Sequence, residues 1–146
     1  MEQNIGAQEP TTKQRLEEVV QYAHGDQDIL AVLLFGSTAR GEQHAASDLD
    51  VCLVLQPGAY QQFALTEKRL QYLAAFPLVD VQIFQELPLY IRRRILKEGH
   101  VLFCRDDDAL YTLALRTVQA FEDFQPLYQR YLEAILCPGR GTRPQA

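Results

Sequence analysis

The sequence has few cysteines, no excess of basic residues and no long apolar runs. Each of these features excludes a class of protein. Its three cysteines, Cys52, Cys104 and Cys137, are odd in number and widely spaced. They predict neither a disulfide framework nor a zinc site, and they fit a reducing, cytoplasmic location. The formal net charge is −5, whereas proteins that hold duplex DNA or long RNA are commonly basic. We therefore expect no direct binding of nucleic acid.

The apolar runs are also too short to span a membrane, and the start, MEQNIGAQEP, lacks the basic and then apolar order of a secretion signal. The 146 residues, of which 47% are hydrophobic and 23% charged, predict one soluble globular domain. Within it we expect a core over about 12–105, a helical segment over 106–136 and a disordered tail over 137–146. Residues 1–10 are expected to form a loose leader.

Apolar periodicity and turn residues predict alternating helices and strands. Thr11 and Gln14 are placed for a capping box at the first helix, which should end at Gly25. Pro126 is expected to kink or divide a long helix that begins near Asp106, because proline removes a backbone donor. The predicted strands are 29–35, 48–55, 78–84 and 101–104, and the other predicted helices lie at 38–41, 59–75 and 88–98.

The main chemical motif lies between the first two predicted strands. Gly36-Ser37 is followed, after ten residues, by Asp48-Leu49-Asp50. Glycine lets the backbone approach a phosphate closely, and serine offers a hydroxyl beside the free N–H groups of a helix start. Residues two apart in a strand face the same side, so Asp48 and Asp50 should repel each other unless a cation lies between them. The motif therefore predicts a site for a nucleoside triphosphate and a divalent metal such as Mg²⁺.

This segment resembles the minimal nucleotidyltransferases of the DNA polymerase beta-like superfamily, whose signature is Gly-Ser, about ten residues, and Asp-x-Asp. Gly-Ser-x-Ala-Arg-Gly followed by Ser-Asp-Leu-Asp is the form found in small bacterial and archaeal members, many of which are antitoxins paired with HEPN-domain toxins. The resemblance covers roughly residues 31–103. It implies an α/β (α+β) nucleotidyltransferase fold, in which helices flank a small mixed sheet of about four strands and a helical extension follows.

The resemblance also implies a metal site. Asp48 and Asp50 would bind two Mg²⁺ ions that stabilise the attacking and leaving oxygens together. Asp80 lies in the predicted strand LVDVQIF, where a carboxylate is costly unless it is paired, bound to metal or on the solvated face. In the family the third catalytic carboxylate lies on the strand after the crossover helix, which favours Asp80 as that residue.

The nucleotide-binding residues implied by the resemblance are Gly36, Ser37 and Arg40. Gly36 and Ser37 would bind the β- and γ-phosphates of ATP, while Arg40 would support the loop or offset phosphate charge. The short chain and its negative charge resemble the antitoxin branch, whose members transfer AMP from ATP to a tyrosine of a HEPN ribonuclease toxin. Two alternatives remain open: an antitoxin that acts by binding alone, and a nucleotidyltransferase that modifies a small molecule such as an aminoglycoside.

Two helical segments outside the motif each leave two interpretations open. The basic side chains of helix 88–98 splay around it, which favours a solvated surface, although one of them could meet a triphosphate tail or an acidic partner. They are Arg92, Arg93, Arg94 and Lys97. Aromatic residues repeat at helical spacing in the last predicted helix, where they could pack on the core or form a partner interface. They are Phe121, Phe124, Tyr128 and Tyr131.

Overall fold

A computed structural model describes residues 11–36 and 49–136, apart from the side chain of Tyr128. The described elements follow the predicted order, and the capping box at Thr11 and the helix end at Gly25 are confirmed. The predicted helix 38–41, the leader and the tail lie outside the described residues. The elements are α1 Thr12–His24, β1 Ile29–Phe35, β2 Leu49–Leu55, α2 Gln62–Ala75, β3 Val79–Ile83, α3 Leu89–Glu98, β4 His100–Cys104 and α4 Asp107–Leu136, with a 3-10 turn at Phe84–Glu86.

The four described strands form one mixed sheet in the order β3-β2-β1-β4. Strand β1 pairs antiparallel with both β2 and β4, whereas β2 and β3 are parallel and are joined by the crossover helix α2. Parallel strands need such a crossover, which explains why a helix separates these two. The α/β fold with a small mixed sheet and a C-terminal helix is confirmed.

Alternation along the strands divides the core into two apolar layers. In β2, Leu49, Val51 and Leu53 face α1 and α2. Cys52 and Val54 face the opposite side, where they pack in the layer that includes residues of α3 and α4. Because side chains two apart share a face, Asp50 lies on the α3 side of the sheet. The strand pattern therefore decides which layer of the molecule holds the motif.

A polar cluster fastens α2 to the loop between α1 and β1. The Asp26 carboxylate accepts hydrogen bonds from Lys68 Nζ at 3.0 Å and from Tyr72 Oη at 2.9 Å. Lys68 also pairs with Asp28 at 2.9 Å. Burial by itself would raise the pKa of Asp26, but the hydrogen bonds from Lys68 and Tyr72 outweigh it and lower that pKa. The ionised form of Asp26 therefore stabilises the fold.

Replacing Asp26 by Asn should lower the free energy of unfolding at neutral pH by about 1–3 kcal/mol, because a charge-assisted pair is lost. A lowered pKa makes the contribution of Asp26 present above the ordinary aspartate value of about 3.9 and lost as the pH falls through the lower folded value. Urea unfolding of wild type and Asp26→Asn at pH 7 and at about pH 3 measures this. The matched comparison is Asp28→Asn, which should cost less, because Asp28 pairs with Lys68 from a side chain that is 66% exposed. A difference between wild type and Asp26→Asn that does not shrink in acid would contradict the assignment.

Helix α4 is one continuous helix of 30 residues with Pro126 inside it. Pro126 therefore does not divide the helix, and a kink at this position stays a prediction. Pro126 is exposed, as is Glu122, whose carbonyl would ordinarily accept the bond that proline cannot make. Water can reach that carbonyl, so the helix continues. Within the described residues, no helix has the length and apolarity needed to cross a membrane.

The apolar side of α4 changes its environment along the helix. In the first half it packs on the layer beneath the sheet through Leu110 and Leu113, and Thr117 is only 5% exposed. At about 100° per residue, the same side continues into the second half, where its apolar residues are exposed. These exposed residues are Phe124, Leu127, Tyr131 and Ile135. We name them the distal stripe.

Candidate active site

Two predicted site residues, Asp50 and Asp80, lie side by side on neighbouring strands. They are direct partners in the parallel register of β2 and β3. Both are partly exposed, and each lies between buried neighbours that face the other layer. Adjacent strands lie about 4.8 Å apart, so the two carboxylates project from one face within reach of a common ligand. The structure thus places Asp80 on the same face as Asp50.

Gly36, at the beginning of the motif, lies next to the Asp50 carboxylate. It follows β1 directly and has a φ of +82°, a conformation that residues with a side chain rarely adopt. A Cβ at this position would overlap the Asp50 carboxylate and would lie 3.0 Å from its Cγ. Glycine is therefore required both by the backbone conformation and by the position of Asp50. The backbone at Gly36 and a site carboxylate are in contact.

A further side chain, Gln82, contacts Asp80 and was not predicted as part of the site. Its Nε2 donates a hydrogen bond to Asp80 Oδ1 at 3.3 Å. Gln82 lies two residues along β3, so it shares the face of Asp80. A polar side chain two residues from a strand carboxylate was the signal in the sequence that could have identified Gln82. Gln82 can hold the Asp80 carboxylate in one orientation.

The described side chains supply some, but not all, of the ligands expected for a hard divalent cation. Asp50 and Asp80 supply the carboxylate oxygens that Mg²⁺ takes in proteins, together with substrate phosphates. Among the described residues, no group of three or more His, Cys, Asp or Glu side chains is placed to hold a metal ion. The third predicted ligand, Asp48, lies outside those residues, as do Ser37 and Arg40. The described part of the site therefore provides two of the three predicted carboxylates.

A small cavity lies beside Gly36, between the end of β1 and helix α3. It has a volume of about 170 Å³. The charged side chains at its wall are Arg94 and Glu98, which form an ion pair with Nε and Oε1 3.5 Å apart. The remaining lining residues are Phe35, Gly36, Ile91 and Ile95. The α3 side of Gly36 thus carries an arginine–glutamate pair, whereas the neighbouring strands β2 and β3 carry the two aspartates.

Structural comparison finds this fold in toxin–antitoxin complexes. The chain resembles one from the crystal structure of a toxin–antitoxin with AMP-PNP, with a TM-score of 0.66 and 17% identity over 87% of this chain and 100% of that chain. A second likeness is to a chain from the complex of tri-AMPylated HEPN toxin with MNT antitoxin from Shewanella oneidensis. Its TM-score is 0.64 at 13% identity, over 87% of this chain and 100% of that chain. At these identities the likeness establishes the fold.

Sequence comparison extends the likeness to a family. A candidate protein adenylyltransferase of Methanocaldococcus jannaschii is 37% identical over 76 residues, which are 51% of this chain and 56% of that protein. The chain thus spans about half the length of the curated relative it matches. The model of the family described as polymerase beta, nucleotidyltransferase, matches residues 17–108, which include every element from β1 to β4. With more than half of its length matched, the chain belongs to the polymerase beta nucleotidyltransferase family.

Proposed function

We propose that this protein is a Mg²⁺-dependent nucleotidyltransferase that acts as an antitoxin. It transfers AMP from ATP to a tyrosine of a cognate HEPN ribonuclease toxin and so neutralises that toxin. The observation that carries the proposal is the pairing of Asp50 with Asp80 in register, with the Gly36 backbone against Asp50. Membership of the family, the relative named for protein adenylyl transfer and the fold shared with toxin–antitoxin complexes support it.

In this proposal the motif residues divide between metal binding and nucleotide binding. Asp48, Asp50 and Asp80 would hold two Mg²⁺ ions, and Gln82 orients Asp80 by its hydrogen bond. When bound, such ions stabilise the attacking and leaving oxygens of an in-line displacement. The nucleotide-binding residues are Gly36, Ser37 and Arg40. The protein contributes positioning and electrostatic stabilisation, which account for most of the catalysis of phosphoryl transfer.

The proposed reaction is a displacement at the α-phosphorus of ATP. The tyrosine hydroxyl oxygen forms a bond to the α-phosphorus, and the bond from that phosphorus to the oxygen bridging to the β-phosphate breaks. Pyrophosphate leaves with the electrons of that bond, and the hydroxyl proton passes to the Asp80 carboxylate. Asp80 lies on β3, at the edge of the sheet and partly exposed, where a protein acceptor can approach it. Gly36 lies two strands away, on the side assigned to the phosphates.

The distal stripe is the surface that we assign to the HEPN partner. It continues the side of α4 that packs on the core, but its members are between 38% and 62% exposed. Tyr131 is 62% exposed, and exposed aromatic residues are common anchors in protein interfaces. Phe121 is half-buried with the Arg93 guanidinium stacked on its ring, so it contributes to the packing of α3 on α4. Tyr128 was also predicted for this surface, but its side chain is not among those that the structure describes.

Co-expression with a HEPN protein encoded beside this chain tests the proposal. Mass spectrometry should show one or more AMP additions on a tyrosine of the partner, and the modified partner should lose its ribonuclease activity. The matched control is co-expression of Asp50→Asn, after which the partner should remain unmodified. A partner that is silenced in a stable complex but carries no AMP would favour an antitoxin that acts by binding alone. Modification of an aminoglycoside without a protein acceptor would favour the small-molecule reaction.

Replacing Gly36 by Ala should lower the rate of AMP transfer by about a hundredfold or more, a loss typical when a reacting group is misplaced by 1 Å. The added methyl group overlaps the Asp50 carboxylate and strains the backbone at a positive φ, so Asp50 must move. Transfer to the partner and thermal unfolding are measured together. Gly58→Ala is the control, because a Cβ there meets no atom closer than 3.8 Å. Full activity of Gly36→Ala would show that the site does not need the observed contact.

A further inference from the structure

Helix α3 carries three consecutive arginines. The first two, Arg92 and Arg93, have structural roles. Arg92 donates hydrogen bonds to two backbone carbonyls that precede the helix, at 2.6 and 3.2 Å. Burial lowers the pKa of Arg92, which is consistent with a guanidinium held against the protein. The Arg93 guanidinium stacks on the ring of Phe121, 4.8 Å from its centroid, and so joins α3 to α4. Neither side chain is directed to the candidate site by these contacts.

Arg94 has a different environment, because it lines the cavity beside Gly36. Its partner there is Glu98, one turn further along α3, with their side chains 61% and 41% exposed. Exposed pairs of this kind contribute at most about 1 kcal/mol, so Arg94 can exchange Glu98 for another anion at little cost. A largely solvated guanidinium next to a glycine of the phosphate motif is a suitable group for binding phosphate.

The order of the strands shows which part of the nucleotide Arg94 can reach. Asp80 lies on β3, Asp50 on β2 and Gly36 directly after β1, so these three groups follow one another across the sheet. The cavity of Arg94 is bordered by Gly36 and Phe35, on the β1 side of Asp50. In the proposed function the acceptor approaches at Asp80 and the leaving phosphates lie at Gly36. Arg94 is therefore on the side of the leaving group.

We propose that Arg94 binds the β- and γ-phosphates of ATP and then the departing pyrophosphate. This inference rests on the proposed function and extends it to a residue outside the motif. The planar guanidinium pairs with phosphate oxygens through two parallel N–H···O bonds, and its positive charge offsets charge that develops on the leaving group. Binding would exchange the Arg94–Glu98 pair for an Arg94–phosphate pair within the cavity beside Gly36.

Calorimetric titration of the full chain with ATP and Mg²⁺, with AMP, and with inorganic tripolyphosphate tests the inference. Arg94→Gln should weaken binding of ATP and of tripolyphosphate by about tenfold, because a charge-assisted pair to phosphate is lost, and should leave AMP binding unchanged. Arg94→Lys should retain part of the affinity, because lysine keeps the positive charge but lacks the two parallel N–H donors of the guanidinium. Arg93→Gln is the matched control, and it should bind all three as the wild type does.

Two results would overturn the assignment of Arg94. One is an Arg94→Gln variant that binds ATP and tripolyphosphate as tightly as the wild type. The other is an equal loss of affinity for ATP and AMP, which would place the effect on the nucleoside part or on the fold. Wild-type protein that binds neither ATP nor tripolyphosphate would overturn the proposed function as well. Loss of binding in the wild type therefore argues against the nucleotidyltransferase function, whereas unchanged binding in Arg94→Gln argues only against the role of Arg94.

Discussion

Replacing Asp50 by Asn should reduce the rate of AMP transfer by at least about a thousandfold while the protein remains folded. The Asn side chain has nearly the same shape as Asp, but it lacks the negative charge that a divalent cation requires. Asp50 is also the residue that contacts Gly36 and pairs with Asp80, so it belongs to both halves of the site. Transfer of labelled AMP to the HEPN partner measures the loss.

The stability of Asp50→Asn provides the second part of this test. Removing one of two adjacent carboxylates relieves their repulsion, so the melting temperature should be unchanged or slightly raised. Asp108→Asn is the matched control, because Asp108 is an exposed carboxylate in the first turn of α4 and should leave transfer unchanged. If Asp50→Asn still transfers AMP at a rate close to that of the wild type, the two-metal mechanism is wrong for this protein.

Replacing Tyr131 by Glu should weaken binding of the HEPN partner by about 2 kcal/mol or more, roughly 30-fold in Kd, as expected for a central interface residue. Tyr131 belongs to the distal stripe and is 62% exposed in the isolated chain. A charge at this position must be buried without a partner when the complex forms, whereas the unbound protein tolerates it in water. Surface plasmon resonance with an immobilised HEPN partner measures the change.

The matched control for Tyr131 is Tyr111, an equally large side chain of the same helix that is 70% exposed. The two tyrosines lie about 200° apart around α4 at 3.6 residues per turn, so they face opposite sides. Tyr111→Glu should bind the partner as the wild type does, and both variants should retain ATP binding. If Tyr111→Glu weakens the complex and Tyr131→Glu does not, the partner docks at the groove between α3 and α4 that Tyr111 lines.

Local features of the fold could be predicted because local chemistry determines them. The capping box at Thr11 needs only a threonine and a glutamine three residues apart, and it is present. Strands β1 and β2 were recognisable as apolar runs: β1 has the predicted bounds, and β2 ends at the predicted residue, Leu55. Of the two effects expected of Pro126, division of the helix does not occur. The cost of a missing backbone bond depends on access to water, which the sequence does not report.

Features that depend on how the strands are arranged could be predicted only in part. The sequence allowed Asp80 to lie either on a solvated face or in a site, and the parallel register with β2 is what places Asp80 beside Asp50. The three arginines of α3 are equivalent in sequence, but their environments differ because Phe121 and Gly36 approach the helix from distant parts of the chain. The positions of Asp48, Ser37 and Arg40 remain predictions.

The exposed second half of α4 has a consequence for the thermodynamics of assembly. Beyond Phe121 nearly every described residue is exposed, so this part of the helix receives little stabilisation from the body of the protein. Isolated helices of about 15 residues are marginal in water, and Pro126 removes one more backbone bond. We therefore expect the free chain to fray at this end, so that part of the free energy of binding a partner must offset the entropy lost when the segment is ordered. Affinity for the partner is then set by helix propensity in this segment as well as by direct contacts.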